Sequence, residues 1–274
     1  MNFRTPLSYA AGSGHEGVAK ILLEYGNVNP DSWDRSCRTP ISYAAGSGHE
    51  GLVKLLLERR ALNPDLPDKN RRTPLSYAAE SGHEGVVKVL LEREDVNPDL
   101  FDKFSRTPLS FAADSGYVGT VKLLLEREGV SPDSSDGNHR TPLSYAAGSG
   151  HEGVARILLE RGLVKPDSPD SDDRTPLSYA SGSGHEGVVR LLLETGRANP
   201  DLADTDGWTP LSHAAGCGHE GVVRLLLETG HANPDLADMD GWTPLSHAAV
   251  SGHKGVVKIL QERVGINPAS SGHS

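Results

Sequence analysis

A Thr-Pro pair stands at Thr5, Thr39, Thr73, Thr107, Thr141, Thr175, Thr209 and Thr243, each 34 residues after the last. That period constrains the fold more than any other feature of the chain. A unit of 34 residues has room for two short helices and a connection, and neither helix can bury its apolar stripe alone. Eight such units must therefore lean on one another to form a continuous core.

Local chemistry within the unit predicts its elements. Thr5 is a good N-cap, and Pro6 falls at the first helical position, where its missing N–H costs nothing. The first helix is predicted from Pro6 to about Ser13, ended by Gly12 and Gly14, since glycine adopts the left-handed C-cap conformation without strain. From Glu16 onward, Val18, Ile21 and Leu22 fall at i, i+3 and i+4, which predicts a second helix with one buried stripe. Lys20 and Glu24 form an i, i+4 pair on its solvated face. Asn29-Pro30-Asp31 breaks that helix, and Asp34 to Arg38 then forms a connecting finger.

The hexapeptide Gly12 to Gly17, GSGHEG, satisfies the G-x-G-x-x-G pattern of dinucleotide-binding turns. Those turns need a buried strand before the first glycine. Here a helix precedes it, and the hexapeptide recurs at Gly46, Gly148 and Gly182, with Cys217 replacing Ser in the copy at Gly216. One cofactor does not need five cradles, so no nucleotide and no other cofactor is expected.

The composite unit RTPLSYAAGSGHEGVVKLLLE…NPD resembles the ankyrin repeat, over nearly the whole chain. The resemblance implies an all-α solenoid of stacked helix-turn-helix units with projecting hairpin fingers. It implies one domain over residues 1–274, with 269–274 as a short tail, and a concave binding face built from the fingers and first helices. Two features depart from the pattern. Serine (Ser8, Ser42, Ser76) replaces the histidine usual after Thr-Pro-Leu, and the extra residue per unit falls near Asn-Pro-Asp. Phe3-Arg4-Thr5 begins almost at a helix, and Asn267-Pro268 precedes the tail, so the expectation is a fragment of a longer protein or ends covered by a partner. Similar arrays occur in large intracellular fungal proteins, commonly behind a nucleotide-hydrolysing signalling domain.

A formal net charge of −10 argues against nucleic-acid binding, which is driven largely by neutralising phosphates. Cys37 and Cys217 lie more than five units apart and read as free thiols of a reducing compartment. No apolar run suits a bilayer, and neither a signal peptide nor an N-x-[ST] sequon is present. The expectation is an intracellular, cytoplasmic protein without a membrane partner. P-loop, HExxH and GxSxG motifs are missing, and Asp204-Thr205-Asp206-Gly207 lacks the remaining ligand positions of a calcium loop, so no metal is expected. The His-Glu pairs at His15, His49, His83, His151, His185 and His219 recur once per unit and are read as ordering the turn between helices.

Function should lie where copies differ on the shared binding face. One group is a ladder of Arg4, Arg38, Arg72, Arg106, Arg140 and Arg174 beside Tyr9, Tyr43, Tyr77, Phe111, Tyr145 and Tyr179. These arginines either recognise a partner, held over aromatic faces, or pair with the finger aspartates Asp34, Asp68, Asp102, Asp136 and Asp170, and the pairing is the favoured reading. A second group places Trp208 and Trp242 at the Arg position and His213 and His247 at the Tyr position, with Asp206 and Asp240 on the same fingers. It is either an aromatic anchor pocket or the trace of a recent duplication. The third group is Glu80, Lys103, Phe104, Phe111 and Asp114, with Tyr117-Val118 replacing His-Glu; it is either a hot spot or drift. The leading expectation is a scaffold without catalytic activity, docking a protein or peptide. The alternative is an enzyme acting on a small molecule through Glu80 and Asp114 or His213 and His247.

Overall fold

A computed structural model describes residues 4–25, 28–59, 61–160, 162, 164–195 and 197–264. The predicted tail, residues 269–274, lies outside the described residues, as does Phe3. The chain divides into two compact units, residues 1–137 and 138–274.

The first unit holds α1 (Pro6–Gly12), α2 (Glu16–Tyr25), α3 (Pro40–Gly46), α4 (Glu50–Leu57), α5 (Pro74–Glu80), α6 (Glu84–Leu91), α7 (Pro108–Ser115) and α8 (Val118–Glu126). First helices stack on first helices, α1 on α3, α3 on α5 and α5 on α7, while α2, α4, α6 and α8 stack in a second row. The second unit repeats the plan with α9 (Pro142–Gly148), α10 (Glu152–Glu160), α11 (Pro176–Ser183), α12 (Glu186–Glu194), α13 (Pro210–Cys217), α14 (Glu220–Glu228), α15 (Pro244–Val250) and α16 (Lys254–Val264). Every described regular element is helical.

Each first helix starts as its sequence requires. The threonine Oγ1 accepts the backbone N–H three residues on, Ser8 to Thr5 at 3.1 Å, and proline follows the cap. The serine that replaces the usual histidine joins that cap, with Ser8 Oγ 3.0 Å from Thr5 Oγ1 and the same pairing in every repeat as far as Thr243 and Ser246. The core is built from the leucine or isoleucine after each Thr-Pro (Leu7, Ile41, Leu75, Leu109) and the paired alanines that let first helices approach closely.

One local expectation is corrected. In α2 the stripe read as buried is exposed at Val18 and Ile21, at 51% and 59%. The equivalent Leu52 in α4 is fully buried, because α2 packs against α4, and no described element covers the outer side of α2. Amphipathic spacing thus marks a face that can be buried; a neighbour does the burying.

GSGHEG is an inter-repeat dock. The His49 imidazole lies 3.3 Å from the Gly12 carbonyl, and His83 repeats the contact on Gly46. In the second unit His185, His219 and His253 make it at 3.0 Å with Gly148, Gly182 and Gly216. In these five repeats the histidine therefore ties its repeat to the one before, rather than only ordering its own turn. Gly48 has φ +76°, and a Cβ there would stand 2.7 Å from His83 Nδ1. Nothing at this motif resembles a strand-to-helix phosphate cradle.

Asn-Pro-Asp also acts between repeats. Asn29 Oδ1 accepts the Asp31 N–H in a local turn, while Asp31 Oδ2 accepts the N–H of Asn63 in the next repeat at 3.1 Å. Asp65 does the same for Asn97, and Asp201 for Asn233. Burial raises the pKa of Asp31, Asp65, Asp99 and Asp167, partly offset by these amide donors.

Candidate functional site

The finger between repeats is a tight turn. Asp34 N–H bonds the Arg38 carbonyl at 3.2 Å and Cys37 N–H bonds the Asp34 carbonyl at 2.9 Å. This closure forces the fourth finger residue into the left-handed region, occupied by Cys37, Arg71, Ser105, His139 and Asp173, then by Gly207 and Gly241. Neighbouring fingers bond edge to edge: Lys69 N–H to Ser36 carbonyl at 2.9 Å, Lys103 N–H to Asn70 carbonyl at 2.8 Å, and Gly137 N–H to Phe104 carbonyl at 2.8 Å.

The finger aspartates Asp34, Asp68 and Asp170 are buried, and at these three positions their partners correct the arginine pairing expected from sequence. Asp34 Oδ1 accepts the amides of Ser36 and Arg38, and Oδ2 accepts the Tyr43 hydroxyl at 2.6 Å. Burial pushes the Asp34 carboxyl up, but the Tyr43, Arg38 and Ser36 donors and the charge of Arg4 together bring it below its usual range. Tyr77 donates to Asp68 at 2.7 Å and Tyr179 donates to Asp170. Burial and the adjacent carboxylate raise both phenols to about 12.

With the carboxylates so occupied, the guanidiniums lie between rings. In the first unit Arg4 stands 3.7 Å from the Tyr43 centroid, Arg38 4.2 Å from Tyr43 and 3.9 Å from Tyr77, and Arg72 4.2 Å from Tyr77 and 4.4 Å from Phe111. The result is a stack of alternating cations and aromatic faces. Direct Arg–Asp pairing occurs at Arg106, whose Nη2 lies 3.2 Å from Asp102 Oδ2. That repeat carries Phe111, which has no hydroxyl to offer, so the arginine fills the vacant acceptor.

The second unit builds the same ladder from other residues. Arg174 Nη2 lies 3.2 Å from His213 Nδ1, and His213 Nε2 lies 2.8 Å from Asp204 Oδ2. Trp208 stands 5.3 Å from the His213 ring and 4.0 Å from His247, and Trp242 stacks on His247 at 5.8 Å. His247 Nε2 reaches Asp238 at 2.8 Å. The four rings alternate as His213, Trp208, His247, Trp242. The carboxylates that reach the histidines are Asp204 and Asp238, whereas Asp206 and Asp240 sit exposed at the finger tips. Burial and the Arg174 charge lower the His213 pKa, against the opposing pull of Asp204.

The residues singled out from sequence therefore separate. Phe111 and His213 are 2% and 6% exposed and face protein neighbours. Glu80 stands where most repeats have glycine and holds Arg72 at 2.5 Å. Asp114 is half-buried on α7. Trp208 and His247 are half-buried within the stack, and Trp242 is exposed at its end. Phe104 is 56% exposed with the Lys103 ammonium 4.8 Å from its ring centre. Sequence reasoning missed Trp33 and Phe101, both exposed, and Arg71, whose guanidinium covers Phe101 at 4.7 Å. Comparing the residue before each finger aspartate, where Trp33 and Phe101 replace Pro, Ser or Ala, is the signal that finds them.

Open depressions lie elsewhere, between second helices. One of about 430 Å³ is lined by Lys54, Leu57, Glu58, Val89, Glu92 and Arg93, and another of about 140 Å³ by residues of α14 and α16. Neither contains a residue singled out above. Among the described residues no group of three or more His, Cys, Asp or Glu side chains lies together in a metal-binding arrangement, and no helix is long and apolar enough to cross a membrane. Cys37 and Cys217 are free thiols.

Paired helices in register, joined by bonded fingers, define a helical repeat protein whose first-helix face carries a side-chain ladder. The family model for ankyrin repeats (3 copies) matches residues 1–68, 59–136, 119–204 and 196–271. The chain belongs to the ankyrin repeat family, whose members are generally protein-interaction scaffolds. No curated protein matches it.

Proposed function

We propose that this protein is a scaffold without catalytic activity, docking a protein or peptide on its fingers and first helices. The observation that carries this reading is the contrast between ladder and fingers. The groups an enzyme would need are held by structural partners: Glu80 by Arg72, His213 by Asp204 and Arg174, and His247 by Asp238. The aromatics of the finger edge in the first unit, Trp33, Phe101 and Phe104, remain exposed. Exposed aromatics beside cations are the composition of an interface core, and a standard interface needs about 800 Å² per partner.

Affinity capture with the intact chain tests it, compared against Phe101→Ala/Phe104→Ala and against Trp242→Ala. Proteins retained by the wild type and lost from a variant with unchanged circular dichroism are the expected result. Identical captured sets for all three proteins would refute the reading.

A further inference from the structure

Two finger tips of the first unit, at 68–72 and 102–106, carry three cations that no carboxylate among the described residues answers. Lys69, Arg71 and Lys103 are exposed, and among the described residues none has an acidic partner; Arg71 and Lys103 lie over the Phe101 and Phe104 rings at 4.7 and 4.8 Å. The acids nearest in sequence, Asp68 and Asp102, are buried and accept bonds from their own fingers and ladder residues. Edge-to-edge backbone bonds fix these tips side by side. The scaffold does not require cations there, since in the second unit the position of Lys69 and Lys103 holds Ser171, Thr205 and Met239, and that of Arg71 holds Asp173, Gly207 and Gly241. In a chain of net charge −10 these cations on adjacent tips make the edge locally positive, which orients an anionic partner onto it.

We infer that this edge binds an extended peptide segment in which acidic side chains alternate with apolar ones, an inference that rests on the scaffold reading above. Arg71 and Lys103 each sit beside an exposed ring, and Lys69 stands on the same finger as Arg71, so carboxylates meet the three cations while apolar side chains pack on Phe101 and Phe104. Single-stranded nucleic acid fits less well, because it binds by stacking bases on open ring faces, and here a cation already covers one face of each ring.

The test is selection of a random phage-displayed peptide library on the full chain and on Lys69→Glu/Arg71→Glu/Lys103→Glu, with circular dichroism confirming that the variant folds. Enriched peptides should be rich in Asp and Glu interspersed with apolar residues. One of them, labelled with fluorescein, should bind the variant about tenfold more weakly or worse and weaken on the wild type as salt rises. Peptides that lack acids, or that bind the variant equally, overturn this inference and leave the scaffold reading standing. Should the variant fail to fold, salt-independent binding of the wild type overturns it. Enrichment of no peptide overturns both, as does binding of poly(U) RNA or phosphatidylserine vesicles through these three residues in place of any peptide.

Discussion

Replacing Tyr77 with Phe deletes one hydroxyl and leaves the ring between Arg38 and Arg72. It strips Asp68 Oδ2 of its donor while Oδ1 keeps the amides of Asn70 and Arg72. A buried charged acceptor left without its bond costs about 2 kcal/mol. The repeat containing Phe111 shows the natural remedy, in which Arg106 swings onto Asp102. Arg72 cannot do so freely, because Glu80 holds it. The Glu80 side chain is 42% exposed, so that ion pair is screened and contributes about 0.5 kcal/mol. Tyr77→Phe should therefore cost about 2 kcal/mol and Glu80→Gln about 0.5 kcal/mol. The double variant should cost only about 1.5 kcal/mol, because the released Arg72 reaches Asp68. Urea unfolding followed by circular dichroism measures the totals, and amide exchange at Asn70 and Arg72 localises the effect, which matters in a repeat array that can open repeat by repeat. A Tyr77→Phe variant within about 0.3 kcal/mol of wild type, or a double variant that equals the sum of the singles, would refute this account of the ladder.

Four further outcomes follow from single sites. Thr120 is fully buried with no partner for its hydroxyl among the described residues, where other repeats carry Val or Leu, so Thr120→Val should stabilise the protein by about 1 kcal/mol in thermal or urea unfolding. Gly48→Ala should cost about 2 kcal/mol or more, since φ is +76° and the new methyl meets the His83 ring. Gly17→Ala, in a helix with no atom within 4 Å of the added carbon, should be neutral or stabilise by up to about 1 kcal/mol. His213 has a folded pKa below its ordinary value of 6.5, so the unfolded chain takes up the proton first. Its contribution is present above pH 6.5 and is lost as pH falls below that value toward the folded pKa. His213→Gln should flatten the dependence of unfolding free energy on pH in that window, and an unchanged slope would exclude His213 as its source.

The fold was legible because its determinants are local and repeated. Thr-Pro caps, glycine stops and the i, i+3, i+4 stripe each act within a few residues, and 34-residue identity reports that every unit solves the same problem. The GSGHEG motif shows where that legibility ends. Its structural role could be read, but its partners could not, because the His49 bond reaches back to Gly12 in another repeat. The ladder divides in the same way. Sequence put Arg38, Tyr43 and Asp34 on one surface, yet only packing decided that tyrosine, not arginine, satisfies the aspartate and that arginine lies between rings. Stacking brings side chains from successive repeats within a few ångströms, and choice of partner among them turns on burial and on which hydroxyl is present. Those two quantities exist only once the repeats have docked.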